Sequence, residues 1–152
     1  MKKRFRTFLL VAASVCGQGE VIAAGDDKAV EPDPVTVAPE NSVIVIPADL
    51  KDGPASAAVA AAARELGLHL KLITGCEFKI LEGNGDLAGR YPFYVGIPAP
   101  GDARPMAAEE ARWAVTADGV YLYGDEKSGA LSATYAFLED RLGVRWIEPG
   151  DR

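Results

Sequence analysis

The sequence predicts an α+β fold in which a mixed β-sheet carries two helices on one face. The apolar, β-branched run at residues 43–46 is closed by a proline and is typical of a buried strand. An alanine-rich stretch at residues 55–75 has apolar side chains at helical spacing and ends at a glycine. Further along the chain, Asp-Gly separates two β-rich runs within residues 113–122, which predicts a hairpin.

The other elements follow from the same patterns, taken in chain order. The first helix has one inner stripe, which consists of Val59, Ala62, Leu66, Leu70 and Ile73. Strands are predicted within "EFKIL" and at residues 93–97, ahead of the hairpin. A second helix at residues 130–142 has the inner stripe Leu131, Thr134, Tyr135, Leu138 and Leu142, and "VRWI" after it predicts a last strand. The order is β-α-β-β-β-β-α-β, and both helices fit most simply on one face of the sheet.

Residues 1–24 have the three-part composition of a secretory signal peptide. Four basic residues precede a short apolar run, and "VIAAG" offers small residues for cleavage after Ala24. The apolar run is too short to span a bilayer as a helix, which takes about 20 residues. A lipoprotein anchored through Cys16 is the alternative, but Val15 stands where such a signal has a small residue. We therefore expect a secreted or periplasmic protein.

Residues 25–41 predict a flexible, acidic and proline-rich lead-in to one domain at residues 42–152. Signal cleavage removes four positive charges and one negative charge, so the formal net charge changes from −6 to −9 (−6 − 4 + 1). An acidic mature chain repels phosphate backbones and anionic lipids. We therefore expect neither nucleic acid nor a membrane surface as its partner.

Few residues could carry catalysis or hold a cofactor. His69 is the one histidine and Cys76 the one cysteine outside the predicted signal, so we expect no metal site and no histidine-activated nucleophile. No glycine-rich fingerprint opens a helix, so we expect no cofactor. Carboxylate doublets lie at residues 109–110, 125–126 and 139–140, but glycosidic cleavage needs carboxyl groups that face each other across a sugar. Solvated faces are the simpler interpretation, with residues 125–126 interacting favourably with the N-terminal dipole of the second helix.

The aromatic residues of the predicted hairpin leave two interpretations open. Tyr121 and Tyr123 share one face of their strand, and Trp113 lies on the neighbouring strand. These three rings could stack on sugars if they are exposed. Cover by a helix or by a neighbouring domain is the other interpretation.

Several segments together resemble the N-terminal domain of alpha-glucuronidases. They resemble equally the second, non-catalytic domain of family 20 beta-N-acetylhexosaminidases, which also stands at the front of secreted bacterial glycosidase-like proteins. The segments are "SVIVIPADL", "ARELGLHLKLITGCEFKI", "PFYVGIP" and "WAVTADGVYLYGDEKSGALSATYAFLEDRLGVRWIEPGD". The resemblance covers nearly all of residues 42–152, and its most specific block is residues 129–150.

The resemblance implies a zincin-like, hexosaminidase domain-2-like sheet that has no metal site. It also implies that such a domain precedes a (β/α)8 barrel, which carries the catalytic carboxylates and acts on glucuronosides or N-acetylhexosaminides. The barrel takes about 250 residues and is not part of this chain, so we expect no enzyme activity from the chain alone. The sequence departs from the family pattern at Ser128, where an arginine usually precedes the helix glycine.

The leading hypothesis is therefore a non-catalytic accessory domain of a secreted glycoside hydrolase, with the catalytic barrel as its partner. The predicted barrel-docking residues are Tyr135, Arg145, Trp146 and Pro149. The alternative is a free-standing carbohydrate-binding module that binds polysaccharide by stacking on Trp113, Tyr121 and Tyr123. A small hydrolase that uses a carboxylate pair is the third hypothesis.

Overall fold

The computed structural model describes residues 8–10, 35–38, 40–50, 52–83 and 85–146. Seven strands and two helices lie within these residues. The strands are β1 (Phe8–Leu10), β2 (Val35–Val37), β3 (Ser42–Ile46), β4 (Ile80–Glu82), β5 (Tyr91–Val95), β6 (Ala111–Val115) and β7 (Val120–Gly124). The helices are α1 (Pro54–Thr74) and α2 (Gly129–Leu142).

A five-stranded mixed sheet in the order β4-β3-β5-β7-β6 forms the body of the domain. Strands β4, β3, β5 and β7 run parallel, and β6 runs antiparallel to β7. The predicted hairpin is the β6–β7 pair, in which Val115 lies opposite Val120 on either side of "ADG". The mixed sheet with two helices confirms the predicted α+β class.

Both helices lie on the same face of the sheet. Helix α1 packs on β3 and β5, α2 packs on β6 and β7, and the two helices contact each other. Each helix ends at a glycine with positive φ, which is 79° at Gly75 and 69° at Gly143. Of the predicted stripe of α1, only Ile73 is not fully buried.

The rotation of α2 differs from the prediction. Its buried residues are Gly129, Ala130, Ala133, Thr134, Phe137 and Leu138, whereas the predicted Leu131, Tyr135 and Leu142 are half-buried. The Phe137 ring lies edge-on to Phe93 and to Trp113, with centroid distances of 6.3 and 6.0 Å. Because this large ring fills the centre of the core, α2 turns Tyr135 towards the seam between the helices.

The N-terminal segments differ in part from the prediction. Strand β1 lies within the predicted signal and pairs antiparallel with β2, which lies within the predicted flexible lead-in. Val37 and Ala38 are buried, so the end of the lead-in belongs to the folded domain, as the alternating β-branched "VTV" favours. Cleavage after Ala24 would remove β1 and leave the five-stranded sheet intact, because β1 and β2 form a separate pair.

The predicted last strand is wrong over the residues that the structure describes. Residues 143–146 have no strand pairing, and Ile147 lies outside the described residues. The backbone N–H groups of Gly143 and Val144 both donate to the Leu138 carbonyl, which turns the chain back over the helices. The apolar side chains of "VRW" therefore pack on the helix layer instead of extending the sheet.

Candidate functional site

Helix α1 has an apolar strip on the side that faces away from the sheet, bordered by Arg64 and Glu65, as well as an apolar side that faces the sheet. At 100° per residue, Ala57, Ala61, Leu68 and Leu72 lie opposite the buried stripe. Leu72 is 72% exposed and Leu68 is 50% exposed. A surface helix usually has polar residues on its outer side, so two exposed leucines on adjacent turns give this strip of α1 the composition of a covered surface.

The seam between α1 and α2 continues this outer surface with aromatic rings. The Trp146 ring lies edge-on to Tyr135 of α2 at 4.9 Å and to His69 of α1 at 5.1 Å. A hydrogen bond of 2.9 Å between His69 Nδ1 and the Glu65 carbonyl oxygen, one turn earlier in α1, fixes the orientation of the imidazole ring. Trp146 remains 47% exposed after making these contacts. We call Ala57, Ala61, Leu68, Leu72, His69, Tyr135 and Trp146 the helix-layer face.

The predicted docking residues are partly brought together on this face. Tyr135 and Trp146 are in contact, and burial together with the nearby Glu65 carboxylate raises the pKa of Tyr135 above its ordinary value. Arg145 is exposed and lies 3.6 Å from the Glu139 carboxylate on the α2 side. Pro149 lies outside the described residues.

The predicted sugar-stacking rings are buried, and that prediction is wrong. Trp113, Tyr121 and Tyr123 are 5%, 6% and 4% exposed, and a buried ring presents no face to a sugar. The Trp113 ring lies in the core beneath helix α2, and the Arg141 guanidinium covers it at 4.9 Å. Tyr121 stacks on Tyr94 at 4.8 Å, on the face of the sheet opposite the helices.

A buried ionic network on that opposite face explains the burial of Tyr123. The Tyr123 hydroxyl donates to Asp102 Oδ2 at 2.6 Å. Arg112 is 6% exposed and also donates to Asp102 Oδ2, at 3.0 Å, and to Glu110 Oε1 at 2.7 Å. Arg112 also donates to the carbonyls of Arg104 and Pro105. Arg112 therefore fastens the loop at residues 96–110 to the sheet.

The protonation states of this network are fixed at neutral pH. Hydrogen bonds from Arg104, then from Tyr123 and Arg112, hold the pKa of Asp102 well below its usual value. The Ala107 N–H and Arg112 lower the pKa of Glu110 in the same way. Burial by itself would lower the pKa of Arg112, but its hydrogen bonds to the two carboxylates outweigh burial and raise it. The network is a charged, fully hydrogen-bonded clamp.

The start of α2 packs backbone against backbone. An ideal Cβ on Gly124 would lie 2.6 Å from the Cα of Gly129, and a Cβ on Gly129 would overlap the backbone of Gly124. Asp125 Oδ1 accepts from the N–H groups of Ser128 and Gly129, and its Oδ2 accepts from the Glu109 N–H. These bonds lower the pKa of Asp125 and satisfy free donors at the helix start.

The carboxylate doublets have structural contacts in the described part of the chain. Glu110 binds Arg112, Asp125 binds the start of α2, and Glu139 lies next to Arg145. Among the described residues, no three His, Cys, Asp or Glu side chains are grouped so as to hold a metal ion. The described helices include none that is both long enough and apolar enough to cross a membrane.

Two features of the site were missed in the sequence. Leu68 and Leu72 carried a signal, because a helix whose outer positions are alanine and leucine departs from the usual amphipathic pattern. Arg112 carried a weaker signal, since a charged residue within a β-rich run is either exposed or paired.

Comparison of the chain with family models, with curated proteins and with solved structures finds no match.

Proposed function

We propose that this chain is a non-catalytic accessory domain of a secreted glycoside hydrolase and that it packs through its helix-layer face against a catalytic (β/α)8 barrel. The observation that carries the proposal is the apolar outer side of α1, with Leu72 72% exposed and Leu68 50% exposed. Exposed apolar side chains that cluster, as Leu68 and Leu72 do on adjacent turns, are typical of a surface that another protein or domain covers. The sequence resemblance supplies the partner, because the matching domains stand directly before such a barrel.

The position of Trp146 supports the same partner. The chain leaves α2 at Gly143 and crosses the helix layer, so that Trp146 lies between His69 and Tyr135 on its outer surface. Five residues lie between Trp146 and Arg152. Six residues span at most about 20 Å, so a domain joined after Arg152 could reach Leu72 and Trp146 without a long linker.

The reading frame beyond the codon for Arg152 tests the proposal directly. We expect an in-frame coding stretch of about 250 residues with alternating strand and helix patterns, as a (β/α)8 barrel requires. Acidic residues should stand at the ends of its strands, because catalytic groups of such barrels lie there. A stop codon immediately after Arg152, or an unrelated fold in that position, contradicts the proposal.

In the joined polypeptide we expect Leu72→Asp to uncouple the two domains. The wild-type accessory domain and barrel should unfold in one calorimetric transition, because the apolar face is buried between them. Burying a carboxylate in that interface would cost about 2 kcal/mol or more of desolvation free energy. The two domains should therefore separate in the variant and unfold in two transitions. Ala117→Asp in the exposed turn between β6 and β7 is the matched control, and a single transition in both variants would rule out docking through Leu72.

The isolated chain allows a second measurement. We expect the double variant Leu68→Ser, Leu72→Ser to bind less of an apolar fluorescent dye than the wild type does. Both leucines are at least half exposed, so the free energy of unfolding should fall by only about 1 kcal/mol for the two substitutions together. Unchanged dye binding at unchanged stability would show that the helix-layer face is not an available apolar surface.

A further inference from the structure

Within the residues that the structure describes, the backbone of β4 is open on one side. This strand stands at the end of the five-stranded sheet and, among the described residues, pairs with β3 alone. The Lys79 carbonyl accepts from the Ile44 N–H at 2.9 Å, and the Gly83 N–H donates to the Ile46 carbonyl at 2.7 Å. Alternate residues of a strand direct their backbone groups to opposite sides. The N–H and C=O groups of Ile80 and Glu82 therefore point away from β3, where they can receive another strand.

An open groove runs beside this edge, between β4 and α1. One depression of about 250 Å³ is lined by Arg64, Gly67, Leu68, Lys71, Glu77, Phe78 and Ile80. A second depression of about 190 Å³ has Glu82 in its lining. Ile80 is 44% exposed and Leu68 is 50% exposed. Side chains from an added strand would lie in these two depressions and would cover Ile80.

Charges of opposite sign stand along the same edge. Arg64 and Glu82 are both exposed, and within the described part of the chain neither lies within 4.0 Å of an oppositely charged group. Lys71, in the same groove, already pairs with Glu77 at 2.6 Å. Among the described residues, Lys79 just before β4 is a further exposed cation, but Arg64 and Glu82 lie on the groove side and are complementary to each other when the edge meets a copy of itself.

We propose that β4 pairs antiparallel with β4 of a second copy of this chain, about a two-fold axis that passes through Leu81. In this register Ile80 lies opposite Glu82 of the second copy, and Glu82 lies opposite Ile80 of the second copy. Both residues direct their backbone groups outward, so each pair makes two hydrogen bonds. The two sheets become one continuous sheet through an isologous interface.

The side chains fit this register. Glu82 of the second copy lies next to Ile80, and Ile80 lines the depression that also contains Arg64. The same Arg64–Glu82 ion pair forms twice because of the symmetry, and Leu81 meets its own copy on the opposite face. Strand β4 has only three residues, so the interface is small and the dimer dissociates reversibly.

Sedimentation velocity of the full chain, from about 10 µM to about 1 mM where weak interfaces associate, tests the proposal. We expect the wild type to pass from one to two chains per particle across this range. Arg64→Glu and Glu82→Arg should each weaken association about tenfold, because each places like charges together twice. The double variant Arg64→Glu, Glu82→Arg should restore association to near the wild-type level.

Lys127→Glu, which makes the same charge change at an exposed position before α2, is the matched control and should leave association unchanged. A wild type that stays monomeric over the whole range overturns the proposal. A dimer that survives both single reversals, or that the double variant fails to restore, also overturns it. Association that is lost with Leu72→Asp and kept with Arg64→Glu assigns the contact to the helix-layer face and likewise overturns the β4 pairing.

Discussion

Gly129→Ala should lower the free energy of unfolding by about 3 kcal/mol or more, although alanine is normally the better residue in a helix. The added Cβ would overlap the backbone of Gly124 and would lie 2.9 Å from the Glu110 carbonyl oxygen. Every one of these neighbours is backbone, so no side chain can rotate away to make room. Urea unfolding followed by tryptophan fluorescence measures the loss, since Trp113 lies in the core beneath α2.

Gly67→Ala is the matched control, because it makes the same substitution inside α1. The nearest atom to its Cβ is Ile44 Cδ1 at 3.5 Å, which is ordinary van der Waals contact. We expect this variant to gain up to about 1 kcal/mol from helix propensity. Gly129→Ala can be measured in the Gly67→Ala background if the single variant is too unstable to purify. A gain in stability from both substitutions would contradict the close packing of Gly124 and Gly129.

Elements that local patterns determine were predictable from the sequence. The periodicity of α1, its glycine end and the Asp-Gly hairpin all follow from local rules, and the structure has each of them. The rotation of α2 was not predictable in this way, because Tyr135 and Phe137 are both aromatic and both fit an apolar stripe. Only packing against Phe93 and Trp113 selects Phe137 for the core. Tertiary contacts decide what local periodicity leaves open.

The same reasoning applies to the site residues. The run "VRW" has strand propensity whether it pairs or not, and the contacts of Trp146 with His69 and Tyr135 depend on how the two helices meet. The burial of Tyr123 depends on Asp102, which lies 21 residues away in a loop that has no periodicity. The leucines on the outer side of α1 could be recognised in the sequence, and the proposed docking to a second domain depends on this side of the helix.

Arg112→Met should lower the free energy of unfolding by about 3 kcal/mol. The substitution removes a buried cation and leaves the Asp102 and Glu110 carboxylates without their Arg112 partner. Asp102 and Glu110 would each lose an ionic hydrogen bond, and the carbonyls of Arg104 and Pro105 would lose a donor. Methionine keeps most of the apolar volume of the arginine stem, so the loss measures the charge and its bonds more than a cavity. Hydrogen exchange should also show faster exchange across residues 96–110.

The pH dependence of the free energy of unfolding distinguishes the ionic interactions of Arg112 from its packing contacts. The pKa values of Asp102 and Glu110 are lowered in the folded chain, so their contribution is present above the unfolded value of about 4. That contribution is lost as the pH falls below about 4 and the folded carboxylates take up protons. Because Arg112 helps to lower both values, Arg112→Met should lose less stability on acidification than the wild type does. Gly67→Ala is the control, since its Cβ meets only the Ile44 side chain, leaves both carboxylates paired and should keep the wild-type slope. Parallel pH profiles for the wild type and Arg112→Met would show that Arg112 acts only through packing.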